Sequence, residues 1–152
     1  MVTGSVYGLG GNHFNQVTSL PATGEMINQP TLVTAFENIS ISTVHAGCQT
    51  SFAITEAGEL FSCGFGAHGK LATGTAGHRR TGLGRVETLH NFKVCVICGS
   101  AGLLAVATNA HTGNEEYYTW GDTCANTIDV TSDRLFEGRI LFEPHRVKIP
   151  RM

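Results

Sequence analysis

Three stretches of the chain repeat one local pattern. Val6-Tyr7-Gly8-Leu9-Gly10, Leu60-Phe61-Ser62-Cys63-Gly64 and Tyr117-Tyr118-Thr119-Trp120-Gly121 each place apolar or aromatic residues ahead of a closing glycine. The three glycines are 54 and 57 residues apart. A period of that length belongs to chains that build propellers or solenoids from stacked units rather than one closed globule.

Other landmarks recur in the same phase. Val44-His45-Ala46-Gly47 precedes Phe52-Ala53-Ile54-Thr55, and Ile97-Cys98-Gly99 precedes Leu104-Ala105-Val106-Ala107-Thr108, with the two glycines 52 residues apart. Gln29-Pro30-Thr31-Leu32-Val33 is answered by Leu83-Gly84-Arg85-Val86 and Glu143-Pro144-His145-Arg146-Val147. The chain therefore divides into one domain, 1–152, of repeats at roughly 4–57, 58–114 and a shorter 115–152.

Within each unit apolar residues alternate over short runs, with no sustained helical stripe, which is the signature of strands. The reading gives strands near 5–9, 31–36, 39–46, 51–55, 59–63, 84–89, 92–98, 103–108, 117–120 and 145–149. Gly58 closes the polar link Thr55-Glu56-Ala57-Gly58-Glu59, so 51–55 and 59–63 are expected to pair antiparallel. Four strands per unit is the arithmetic of a propeller blade, a small sheet that must stack on its neighbours. The expected fold is all-β: an incomplete β-propeller of about two four-stranded blades plus a partial third. In it Gly10, Gly64 and Gly121 end strands at sharp turns, and Gly47 and Gly99 lie where backbone passes close to a packed neighbour.

Composition narrows the function classes. A net charge of −2 with 14% charged residues argues against both a disordered chain and nucleic acid as partner. No apolar run approaches the ~18 residues of a membrane helix, and the first residues lack a basic, apolar signal. Five cysteines, an odd number, fit a reducing compartment and buried free thiols, so the expected residence is the cytosol or nucleus. Asn38-Ile39-Ser40 matches a glycosylation acceptor and, without a secretory signal, is read as coincidence.

The run Val6 to Gln16, the run Gly58 to Gly64 continuing through Gly69-Lys70-Leu71, and Ala46-Gly47 with Phe52-Ala53-Ile54-Thr55 resemble the repeat of the regulator of chromosome condensation family over nearly the whole chain. The resemblance implies seven-bladed propellers. It also implies activities ranging from nucleotide exchange on a Ran-type GTPase with nucleosome binding to interaction modules beside ligase or kinase domains. Against the family pattern, Thr50 and Gly102 stand where a histidine is usual, Asn15 replaces a glycine, and the asparagine-glycine-glutamine run after Gly121 is missing. About two and a half units do not close a seven-bladed ring. The chain is thus expected to be a piece of something larger or to cover its open edges on a partner or by self-association.

Two enzyme-like motifs carry little. Gly64-Phe65-Gly66-Ala67-His68-Gly69-Lys70-Leu71 meets the glycine spacing of a dinucleotide fingerprint and nearly that of a phosphate loop. Leu71, however, occupies the place of the magnesium-binding Ser or Thr, and the following residues make a poor helix, so the reading is structural. Cys95 and Cys98 form a C-x-x-C pair with no second close pair among Cys48, Cys63 and Cys124. Strict alternation puts Cys95 with Ile97 on one face and Val96 with Cys98 on the other, as buried core thiols rather than a zinc or redox site.

Cationic residues cluster only at His78, Arg79, Arg80 and Arg85, the candidate partner contacts, with a solvated turn as the plainer reading. The acidic stretch from Asp122 to Glu143 reads as a long exposed loop. No nucleophile or metal constellation emerges, and no cofactor is expected. These readings converge on a non-enzymatic protein-interaction module, a scaffold or adaptor, whose loops after Gly10, Gly64 and Gly121 form one contact surface. The alternative is a fragment of a guanine-nucleotide exchange factor, with a small GTPase as partner.

Overall fold

The computed structural model describes residues 4–17, 26–74, 80–99, 102–122 and 140–147. Its strands are β1 (Tyr7–Gly11), β2 (Met26–Leu32), β3 (Ile41–Ala46), β4 (Thr50–Thr55), β5 (Leu60–Gly64), β6 (Arg80–Arg85), β7 (Phe92–Gly99), β8 (Gly102–Asn109), β9 (Glu115–Asp122) and β10 (Ile140–Val147). They form a two-stranded ribbon β1-β2 and two four-stranded sheets, β3-β4-β5-β6 and β7-β8-β9-β10. Neighbouring strands within each sheet are antiparallel, which makes the sheets consecutive propeller blades. No α-helix occurs among the described residues.

Each glycine-to-glycine unit is shared between sheets. Unit 4–57 holds β1 to β4, and unit 58–114 holds β5 to β8, so one unit completes a sheet and starts the next. The seam inside a sheet is the hairpin β4–β5, expected from the sequence and observed with Phe52 opposite Ser62 and Ile54 opposite Leu60. Gly58 turns it at φ +86°, and its N–H donates to the Thr55 carbonyl at 2.9 Å. The β8–β9 hairpin repeats the device with Gly113 at φ +71° donating to Asn109.

Inner strands are covered on both faces, whereas the outer ones tolerate breaks in pairing. Every residue of β4 except Ser51 is buried. Pro30 lies in β2 and Pro144 in β10, both at a sheet edge, where a missing N–H leaves no ladder bond unmade. The core joins the two large sheets: Phe52, Ile54 and Leu60 from one meet Val94, Leu103, Ala105 and Trp120 from the other. No residue of the β1-β2 ribbon enters that cluster.

Three strands differ from the sequence reading by more than two residues. β2 covers Met26–Leu32 rather than 31–36, β6 covers Arg80–Arg85 rather than 84–89, and β10 begins at Ile140 rather than 145. Short 3-10 turns, Thr34–Phe36 and Glu87–Leu89, occupy the ends of the two predicted strands. Val86 and Leu89 are three residues apart, not two, and a 3-10 turn puts such a pair on one side. Both are 2% exposed, and the Leu89 N–H donates to the Val86 carbonyl at 3.2 Å.

Cys95 also departs from expectation. The β7–β8 register shifts between Val94 and Val96, a bulge that breaks the alternation. Val94 and Ile97 are consequently both buried and Cys95 is exposed, its thiol near the Lys93 carbonyl and the Thr108 hydroxyl. Cys48 is exposed as well and Cys63 half-buried, so these three thiols are not core residues. The Cys98 side chain, Cys124 and most of the acidic stretch lie outside the described residues.

A row of glycine loops and an apolar cleft

Loops following β1 and β5 pack by one rule. Each runs over the next sheet and offers a backbone carbonyl to the residue just before the closing glycine of that sheet's inner strand. Trp120 of β9 donates its indole N–H to the Lys70 carbonyl at 3.0 Å, and Cys63 of β5 directs its thiol at the Gln16 carbonyl at 3.7 Å. Ser62, one residue earlier, donates to the Leu71 carbonyl at 2.9 Å and holds the second loop onto its own strand. Glycine serves these crossings because a Cβ on Gly69, at φ +68°, would collide with the Leu141 carbonyl. Asn15 holds the same place in the first loop at φ +57°, a left-handed value that asparagine adopts more readily than most residues.

The predicted glycines occupy distinct settings. Gly10, Gly64 and Gly121 have φ of +110°, +108° and +88° near the ends of β1, β5 and β9. A Cβ on Gly64 would also clash with the Gln49 carbonyl, and one on Gly99 with the Gly102 carbonyl. Gly47 instead closes the β3–β4 turn, donating to the Thr50 carbonyl at 2.8 Å.

Direct contacts connect the loops. Phe14 and Phe65 stack with ring centroids 4.5 Å apart, joining the loop after Gly10 to the loop after Gly64. His68 reaches the Asp122 carboxylate, just beyond Gly121, at 3.4 Å. The exposed side chains of His13 and His68 lie on this row.

Of the predicted cationic contacts, the two that are described lie at opposite ends of β6. Arg80 lies opposite Gly64, while Arg85, at the other end of β6, lies opposite Phe61 and forms an ion pair with Glu59 at 3.1 Å. His78 and Arg79 fall outside the described residues. Among the described residues no group of three His, Cys, Asp or Glu side chains is placed to hold a metal ion, and no helix is long and apolar enough to cross a membrane.

Sequence reasoning missed two features. The first is a polar cluster on the third unit: the buried Glu116 carboxylate accepts from Tyr118 at 3.1 Å and Asn109 at 3.3 Å and pairs with Arg146 at 3.0 Å. Burial, with the Glu116 carboxylate beside it, pushes the Tyr118 phenol up to about 12. The second is a cavity of about 410 Å³ between the β1-β2 ribbon and the β3-β6 sheet. Tyr7, Leu9 and Val44 on its wall are each about 60% exposed. Asn15 and Thr50 also line it, and their Oδ1 and Oγ1 atoms are buried out of reach of solvent with no hydrogen-bond partner among the described residues. Thr50 in place of the usual histidine was the one sequence signal for this site.

No protein-family model matches the chain. It is 31% identical over 122 residues to the E3 ubiquitin-protein ligase HERC2 of human and, equally, of mouse, a match covering 79% of this chain and 2% of those proteins. Among solved structures it is similar to human WBSCR16, with a TM-score of 0.71 at 18% identity over 97% of this chain and 35% of that one. Prp20p of Saccharomyces cerevisiae, described with its binding to Gsp1p and histones, gives 0.69 at 17% identity over 100% and 36%. Yeast RCC1 (Prp20) bound by Kap60 gives 0.65 at 15% identity over 99% and 35%. The chain thus spans about a third of the solved propellers and a small fraction of the ligases.

Proposed function

We propose that the chain, whose sheets share the fold of the propeller proteins WBSCR16 and Prp20p, is a non-enzymatic protein-interaction module of regulator of chromosome condensation-like repeats, a scaffold or adaptor element whose glycine loops form the contact row. The observation that carries this reading is the pair of contacts from Phe14 to Phe65 and from His68 to Asp122, which joins the loops after Gly10 and Gly64 to each other and to the end of β9. Loops held on a rigid sheet scaffold are where binding residues concentrate. Protein partners are in keeping with Prp20p, which binds Gsp1p and histones, and with yeast RCC1, which Kap60 binds. A cytosolic or nuclear location is proposed with it, in keeping with the histone binding of Prp20p.

The second reading, a fragment of an exchange factor, draws on the similarity to Prp20p. Exchange works by prying open the nucleotide pocket of a GTPase and needs no catalytic acid or base. One assay separates the two: release of a fluorescent guanine nucleotide from a Ran-type GTPase with the purified chain added. The adaptor reading expects the unstimulated rate, and a dose-dependent acceleration abolished by His13→Ala with His68→Ala would replace it with exchange.

A further inference from the structure

We infer that Arg85 with Glu59 and Arg146 with Glu116 are one device built twice: a clasp that holds the far half of each outer strand on its sheet, beyond a bulge that separates it from the half near the repeat glycine. The inference is independent of the interaction-module reading. It starts from a register irregularity common to all three sheets.

Back from the repeat glycine, the strand that carries it advances two residues while its outer partner advances four. Gly10 and Gly8 face Ile27 and Thr31, Gly64 and Ser62 face Arg80 and Gly84, and Gly121 and Thr119 face Leu141 and His145. Extra residues in one strand interrupt the ladder, so the two halves of the outer strand are fixed separately. The near half pairs at the glycine. The connections leading into β6 and β10, residues 65–79 and 123–139, are too long to set the register of the far half as a two-residue hairpin turn does.

Beyond the bulge the three sheets share a valine, and two of them add a charge pair. The Val33 N–H donates to the Val6 carbonyl at 2.9 Å and the Val86 N–H to the Leu60 carbonyl at 2.8 Å, while Val147 stands opposite Tyr117. The residue before each valine is Leu32, Arg85 or Arg146, opposite Tyr7, Phe61 and Tyr118. Five residues before each repeat glycine stand Ser5, Glu59 and Glu116. Arg85 Nη2 meets Glu59 Oε1 at 3.1 Å, and Arg146 Nε meets Glu116 Oε2 at 3.0 Å. In both sheets the arginine reaches past the aromatic residue opposite it to the carboxylate two positions along, a diagonal cross-strand pair. Sequence place, cross-strand neighbour and bond coincide twice, which identifies the clasp. The β1-β2 ribbon, with serine and leucine in the two places, lacks it.

The two clasps differ in strength. Glu59 and Arg85 side chains are 39% and 36% exposed, so water and salt screen that pair. The Glu116 side chain is 10% exposed and also accepts from Tyr118 and Asn109, so its charge is largely desolvated where Arg146 meets it. Removing one member of a desolvated pair strands the other.

Hydrogen exchange followed by NMR on the whole chain tests the inference. Arg85→Met keeps a side chain of similar reach and should speed exchange of the Val86 amide about threefold. Arg146→Met should speed exchange of the amides from His145 to Val147 at least about tenfold. Glu59→Gln combined with Arg85→Met should exchange no faster than the faster of the two single variants, and the reversed pair, Glu59→Arg with Arg85→Glu, should return the Val86 amide to its original rate. A role confined to packing of the arginine stem would give none of the last two results.

The inference is overturned if Arg85→Met and Arg146→Met both leave the rates as they were, or if the reversed pair exchanges as fast as the single variants. It is overturned equally if the effects of Glu59→Gln and Arg85→Met multiply in the double variant, since each side chain then acts on some other group. Should Arg146→Met fail to fold, the half-exposed pair decides, because neither Glu59 nor Arg85 belongs to the core cluster.

Discussion

At the residue scale the chain shows how one side chain is made to fit by its immediate surroundings. Asn15 takes the left-handed backbone that glycine supplies at Gly69, so the loop keeps its course although the residue differs. The exchange leaves a carboxamide oxygen buried without a donor. Tyr118 shows the same dependence on context. Its phenol, raised from 10 to about 12 by burial and by the Glu116 carboxylate, stays neutral in the folded chain at a pH where the unfolded chain ionises it. Its contribution to stability is therefore fully present below about pH 10 and is lost as pH rises through about 12. Glu116→Gln should move the Tyr118 midpoint down toward 10, read as the difference in tyrosinate absorbance between chains with and without Tyr118→Phe. An unchanged midpoint would assign the shift to burial alone. Residue identities were legible where backbone geometry dictates them, as at Gly64. They were illegible where a bulge intervenes, because the sequence around Cys95 keeps an alternation that the β7–β8 register does not.

Elements joined at a seam are held by few directional contacts. Trp120 is fully buried, meets Phe52 edge-on at 6.1 Å and donates to the Lys70 carbonyl across the joint between the two large sheets. Trp120→Phe keeps an aromatic ring but leaves that carbonyl without its donor, a loss of about 1–3 kcal/mol. Trp120→Ala adds a cavity and should cost about 3–5 kcal/mol. Chemical denaturation of the two variants measures both; equal losses would mean that the indole N–H contributes nothing. The strands themselves could be read from alternation, and the β4–β5 hairpin from Gly58. The 3-10 turns could not, because the spacing of Val33 and Phe36 or of Val86 and Leu89 was absorbed into neighbouring strand patterns. The turns at Gly10 and Gly64 were legible from the recurrence of glycines, whereas the cleft depends on which strands lie beside β1, and a linear pattern does not encode that.

For the whole molecule, cohesion is uneven. Every residue of the central apolar cluster comes from 52–141, and the β1-β2 ribbon leaves Tyr7, Leu9 and Met26 about 60% exposed. Regions with few buried apolar contacts open without global unfolding. Amides of β1 and β2 should therefore exchange with deuterium at least about a hundredfold faster than those of β4, β8 and β9, whose protection should match the global unfolding free energy. Uniform protection across the three sheets would show that the ribbon is part of one cooperative unit.

The staggering of glycine-to-glycine units against sheets has a consequence for how such a chain can change in length. Because β3 and β4 follow β2 covalently yet belong to the next sheet, a whole unit spliced in or removed leaves every joint bridged by continuous backbone. Losing half a unit would orphan two strand edges at once. Copy number is thus an easy variable for this architecture, and insertions that respect the phase are absorbed as additional blades.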